Sequence, residues 1–213
     1  PGGMGGAMGE REQNGGMPDN AFAEGGAPTM GDENCLIQVN GGYTVLDAAG
    51  DAVDSNGSVE VTGGVLLVNG PTSGGDGAFD YDLTATVTGG TVLMVGSTGM
   101  AQNFTSGEQP FAFITASGNA GDSVAVANAD GTVVASLMAA KQFGMVLVSS
   151  PAFEEGGSYS LVIGGQVSGA NADGYADAGT VSGGTTAEIT ASTTASGGMG
   201  GLGMGGGGMS AGQ

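Results

Sequence analysis

Apolar and polar positions between residues 37 and 104 follow a pattern that returns three times. The copies are IQVNGGYTVLDAAGDAVDSNGS, VEVTGGVLLVNGPTSGGDGAFDYDLT and ATVTGGTVLMVGSTGMAQNF. Each opens with a short alternating run ending in a glycine pair: Gly41-Gly42, Gly63-Gly64, Gly89-Gly90. An apolar run follows, then a glycine-rich turn, then a third short segment. The pairs are 22 and 26 residues apart. Alternation is the period of a strand. A repeat of this size built from several short strands predicts a parallel β-solenoid.

Coils of a solenoid stack like strands of a sheet, about 4.8 Å apart, so equivalent positions form columns. Aligning the glycine pairs puts Val53, Phe79 and Ala101 in one inward column. It sets Val65 to Val68 over Tyr43 to Leu46 and under Thr91 to Met94. The glycines absorb corners that need positive φ.

After residue 104 the pattern changes to longer alternating runs. These predict strands at Phe111–Thr115, Ser123–Ala127, Thr132–Leu137, Met145–Ser149 and Ser158–Ile163. Asp130-Gly131 falls between two of them and predicts a type I′ hairpin. The region reads as an antiparallel β cap over one end of the solenoid, where the last coil would otherwise expose an apolar cross-section and unpaired edges. One further strand is expected near Ala187–Thr190. No segment holds a convincing helical period. The organisation is therefore a low-complexity Gly/Met-rich segment at 1–34, solenoid coils at 35–104, a cap at 105–165, and a polar then Gly/Met-rich tail at 166–213. The fold class is all-β.

Composition narrows the partners. The 213 residues include 48 Gly, no His and no Trp, and a formal charge of -19 arises from 21 acidic residues against Arg11 and Lys141. Such a surface repels phosphate backbones and anionic membranes, so no nucleic acid and no membrane insertion are expected. Cations, neutral sugars and other protein chains remain. The single Cys35 excludes an intramolecular disulfide. It reads as a buried small residue or as an intermolecular bridge. The chain opens at Pro1 inside a Gly/Met run, as a processed piece of a longer protein would. The acidic Gly/Thr/Ser/Asn-rich composition points to a secreted or cell-surface protein.

Beside Val53 the adjacent column reads Asp54, Asp80, Gln102, with Asp51, Asp76 and Asp82 close by. Stacked carboxylates repel, and solvation, proton uptake or a bound cation relieves them. Ca²⁺ suits carboxylate and carbonyl oxygens, which makes Asp51, Asp54, Asp76, Asp80 and Asp82 the candidate cation or polar-ligand residues. The competing reading is that they make turn-stabilising hydrogen bonds to nearby backbone.

GDAVDSNGS at Gly50–Ser58, NGPTSGGDGAFDYD at Asn69–Asp82 and GSTGMAQ at Gly96–Gln102 resemble strings of the bacterial carbohydrate-binding domain-containing proteins of the DUF4353 type. KQFGMVLVSSPAF and the Gly/Met-rich tail are also similar to that group. The resemblance covers roughly residues 35–165. It implies a secreted or surface-attached bacterial protein with a right-handed parallel β-helix, and carbohydrate binding. Two departures stand against the group's usual pattern. Earlier coils are missing, which leaves the amino-terminal end of the solenoid open unless something covers it. Aromatic side chains are also scarce, with Tyr43, Tyr81, Tyr159 and Tyr175 the only tyrosines. Tyr81 lies between two carboxylates and is expected to face the core if both point outward.

Three functions compete. The first is a structural solenoid that self-associates end to end into an extracellular assembly. The second is a monomeric carbohydrate-binding module. The third is a polysaccharide-active β-helix enzyme. Paired acids such as Asp51, Asp54, Asp76 and Asp80 fit a hydrolase spacing, but a basic proton acceptor has only Arg11 and Lys141 to draw on, both outside the repeats. A non-enzymatic protein is the expectation.

Overall fold

The computed structural model describes residues 31–196. Most of the expected Gly/Met-rich flanks therefore lies outside the described residues. Among the described residues, fifteen strands follow one another with no helix between them. Those of the repeat are β1 (Leu36–Asp47), β2 (Val53–Ser55), β3 (Ser58–Asn69), β4 (Phe79–Tyr81), β5 (Ala85–Val87) and β6 (Thr91–Gly96). Those after it are β7 (Ser106–Gly118), β8 (Ser123–Ala127), β9 (Val133–Met138), β10 (Phe143–Ser149), β11 (Ser158–Ile163), β12 (Gln166–Val167), β13 (Val181–Ser182), β14 (Thr185–Thr190) and β15 (Ser192–Thr194).

The repeat winds as a β-solenoid of about three turns, with the register its glycine pairs require. Tyr43 pairs with Val65 and Leu46 with Val68, in parallel. Val65 then pairs with Thr91 and Val68 with Met94. On the short side, Val53 lies opposite Phe79, and Asp54 opposite Asp80. The second glycine of each pair turns the corner, with φ of 83° at Gly42, 86° at Gly64 and 85° at Gly90. Inside the coils Val59, Val61, Leu66, Val68, Phe79, Val92 and Met94 are buried. Phe79, Phe104 and Phe111 run through this core with ring centroids 5.2 Å and 5.4 Å apart along the series.

The antiparallel region does two things, where the sequence predicts one. Strands β10 and β7 close the end of the solenoid. The antiparallel β10 inserts between β6 and the outer half of β7, and β15 pairs with β7 beyond it. Strands β14, β11, β8 and β9 instead form a separate four-stranded sheet, packed on the flank of the coils. The second layer explains why VLLV, TVLMV and MVLVS are continuous apolar runs. Leu66, Val92 and Leu147 face the coil interior, while their neighbours Leu67, Leu93, Val146 and Val148 face the flanking sheet. A strand buried on both faces has no polar side to alternate.

Polar contacts tie the layer to the coils. The amide of Ala140 donates to Asn69 Oδ1 at 2.9 Å. Lys141 Nζ donates to the Ala48 carbonyl at 2.5 Å and lies 2.6 Å from Asp47 Oδ1. Asp130-Gly131 does join β8 to β9, but not as a two-residue type I′ turn. The Gly131 amide donates to the Asn128 carbonyl at 3.0 Å, the Asn128 amide donates to the Thr132 carbonyl at 3.0 Å, and Gly131 has a positive φ, 84°. The longer loop fits the register shift beside Ala127, as a turn followed by a glycine bulge does. Cys35 is half-buried with a free thiol.

Candidate functional site

The aspartate column exists as a ladder. Asp54 and Asp80 sit in register on β2 and β4, and Gln102 completes it. Its Nε2 donates to Asp80 Oδ1 at 2.9 Å, and its Oε1 accepts the Tyr81 amide at 3.1 Å. Tyr81 points inward, is 2 % exposed, and donates its hydroxyl to the Asn103 carbonyl. Burial, with the nearby Asp80 charge, pushes the Tyr81 phenol up to about 12. Asp51 Oδ1 accepts the Gly77 amide at 2.6 Å, and Asp76 Oδ2 accepts the Ser73 hydroxyl at 2.5 Å. These are the turn-stabilising bonds that short polar side chains make. Among the described residues, no three His, Cys, Asp or Glu side chains gather as a metal centre. The five aspartates are placed as a ladder and its flanking turns.

Partial burial, and then the charges of Asp51, Asp54 and Asp82, raise the Asp80 carboxyl above its ordinary 3.8. A carboxyl raised on folding holds its proton longer in the native state. Its contribution is therefore lost as pH rises from the unfolded value through the folded one. Replacing Asp80 by Asn, which can still accept from Gln102, is expected to stabilise the protein at neutral pH. The gain is at most about 1 kcal/mol, because the ladder is largely solvated. It vanishes near pH 3, where Asp80 is already neutral. Urea midpoints at the two pH values measure this, and a loss of stability at both would contradict it.

A second feature lies at the open end. Among the described residues, β1 pairs with β3 on one side and ends the sheet on the other. Its inward residues Ile37, Val39, Thr44 and Leu46 are only half-buried, and Leu36, Tyr43 and Val45 are 50 %, 45 % and 39 % exposed. At Gly41 and Gly42 an added Cβ meets nothing within 4 Å. Native edges are usually blunted by charge, proline or a covering element. From Leu36 to Leu46 this edge carries no charge and no proline.

Tyr43 also reaches across to the flanking layer. Its ring meets that of Tyr175 edge-on, centroids 5.7 Å apart. Its hydroxyl donates to Asp173 Oδ2 at 3.0 Å and accepts from Asn171 Nδ2 at 2.8 Å. The Tyr175 hydroxyl donates to Asp177 Oδ2 at 3.3 Å. Burial raises both phenols, Tyr43 and Tyr175. Beside Tyr175 lies a hollow of about 340 Å³, bordered by Ser168, Asn171 and Asp177. Sequence reasoning did not find this cluster, since Tyr43 and Tyr175 are brought together only by the layer packing. The string NADGYAD, dense in planar polar side chains around one tyrosine, was its available signal.

No family model matches the chain, and no curated protein and no solved structure matches it either.

Proposed function

We propose that this protein is a non-enzymatic structural β-solenoid, secreted or displayed at a cell surface, that associates with other chains through its open first coil. The observation that carries the reading is β1. It is a twelve-residue strand whose outer edge pairs with no other strand among the described residues and whose core-facing residues stay half-exposed. Coil on coil is how the interior of this molecule is already built, so another strand laid on β1 would continue both the hydrogen-bond ladder and the apolar column. The other end of the solenoid is closed by antiparallel strands. Association is therefore expected through one end rather than two. The acidic, Gly-rich composition supports an extracellular setting, as does the resemblance to surface-attached bacterial proteins.

Sedimentation velocity over a wide protein concentration range tests the reading. Wild type is expected to associate. An inward-pointing lysine in place of Ile37 weakens association at least tenfold. At the open top of the coil its ammonium can snorkel to water in the monomer, but not beneath a second strand. Wild type that stays monomeric at every concentration would overturn the proposal.

A second reading, glycan binding, is favoured by the Tyr43–Tyr175 pair. The aromatic Tyr175, the Asn171 amide and the Asp177 carboxylate bordering a hollow are the mix of apolar surface and placed polar groups that orients a small polar ligand. A glycan array compared between wild type and Tyr175→Ala tests it. Signals that survive the substitution would move binding elsewhere, and an array without signals would remove the reading.

A further inference from the structure

The burial of β1 reads the same in both directions. From Leu36 to Asp47, Ile37 and Val39 on one arm, and Thr44 and Leu46 on the other, are half-buried. Every other position is exposed. The centre of this palindrome is Gly41-Gly42, the corner of the coil. We infer that the open end is closed by a second copy of this chain, with β1 laid antiparallel on the partner's β1 about a two-fold axis through that corner. The inference rests on the assembly reading above and specifies its partner and geometry.

A two-fold axis requires that residue i meets j and that j meets i. Centred on the glycine pair, Ile37 lies opposite the partner's Leu46, and Val39 opposite the partner's Thr44. All four are inward residues, so the apolar column of one solenoid runs into that of the other. The outward residues match as well: Gln38 with the partner's Val45, Asn40 with the partner's Tyr43. A shift of one residue would set inward side chains against outward ones, because the side-chain period of a strand is 2. The symmetric register is thus the one that keeps the core continuous. The corners offer no obstacle, since the space above Gly41 and Gly42 is open.

Charge points to the same face. Two chains that each carry a formal charge of -19 repel, and they come together most easily where neither contributes charge. Leu36 to Leu46 is uncharged, and Asp47 at its end is paired with Lys141. The closed opposite end excludes a head-to-tail series built on the same pairing, so growth stops at two.

The test is cysteine pairing in the full chain with Cys35→Ser as background. Gln38→Cys together with Val45→Cys is expected to give a disulfide-linked dimer in oxidising buffer, and Gln38→Cys alone is not, since Gln38 does not meet its own copy. Sedimentation of the unmodified chain is expected to stop at the dimer, which tightens as salt screens the repulsion. Higher oligomers or filaments would overturn the two-fold pairing while leaving the assembly reading intact. A monomer at all concentrations would overturn both. A monomer that dimerises only once residues 1–30 are removed would overturn the inference in favour of that segment as the occupant of β1.

Discussion

Replacing Gly64 by alanine is expected to lower stability by about 3 kcal/mol, while the same change at Gly42 lowers it by only about 1 kcal/mol. Both residues turn a coil corner at nearly the same positive φ, 86° and 83°. For an L-residue that conformation costs about 1–2 kcal/mol, and this part of the loss is shared. What differs is the neighbour. A Cβ at Gly64 lies 2.5 Å from the carbonyl carbon of Gly41 on the coil before it, whereas one at Gly42 meets nothing within 4 Å. The backbone of the stacked coil cannot rotate aside as a side chain can, so overpacking adds about 1–3 kcal/mol at Gly64 alone. Gly90→Ala belongs with Gly64, because its Cβ falls 2.7 Å from Gly63. Urea unfolding of the three variants at dilute protein, where association does not contribute, gives the comparison. Equal losses at all three positions would mean that the coils do not stack in this register.

Phe79→Ala is expected to cost about 3–5 kcal/mol, a large share of the roughly 5–15 kcal/mol by which a domain is stable. Phe79 is fully buried, and the rings of Tyr81 and Phe104 lie 5.2 Å from it on either side. Its column runs Val53, Phe79, Ala101, so the ring spans a gap that its small neighbours on the adjacent coils cannot fill. Truncation therefore leaves a cavity and also breaks two aromatic contacts. Phe79→Leu keeps most of the volume and is expected to cost less than half as much. Thermal or urea denaturation measures both. A Phe79→Ala protein within about 1 kcal/mol of wild type would show that the column collapses on itself, against the packing described.

The coils were legible because a repeat overdetermines them. Once Gly41-Gly42, Gly63-Gly64 and Gly89-Gly90 are aligned, one register stacks the inward apolar positions of successive coils, and it carries Asp54 onto Asp80 and Tyr81 into the core. The longer strands after the repeat were legible from alternation and β-branched content, while the two- and three-residue strands β12, β13 and β15 were not. Their assembly was not. Val146 and Val148 pair antiparallel with Val95 and Leu93, a contact between segments some fifty residues apart that alternation cannot specify. The flanking sheet was foreshadowed by the unbroken apolar runs at Val65–Val68 and Val92–Val95. A run apolar at every position has no outward polar face, and so implies cover on both sides. The Asp130-Gly131 turn missed because a dipeptide constrains the turn but not the loop length around it. Of the candidate site, the aspartate ladder followed from the register. The tyrosine pair, joining Tyr43 of the first coil to Tyr175 of the loop after β12, depended on the layer packing.

The proposed assembly makes β1 a free edge that another chain completes. Hydrogen exchange of the β1 backbone amides, followed as a function of protein concentration, addresses it most directly. In dilute protein the β1 amides pointing away from β3 are expected to exchange within the dead time, while β3, paired on both sides, is protected. Raising the concentration should protect those same β1 amides and leave β3 unchanged. β1 amides that exchange equally fast at every concentration would contradict the claim.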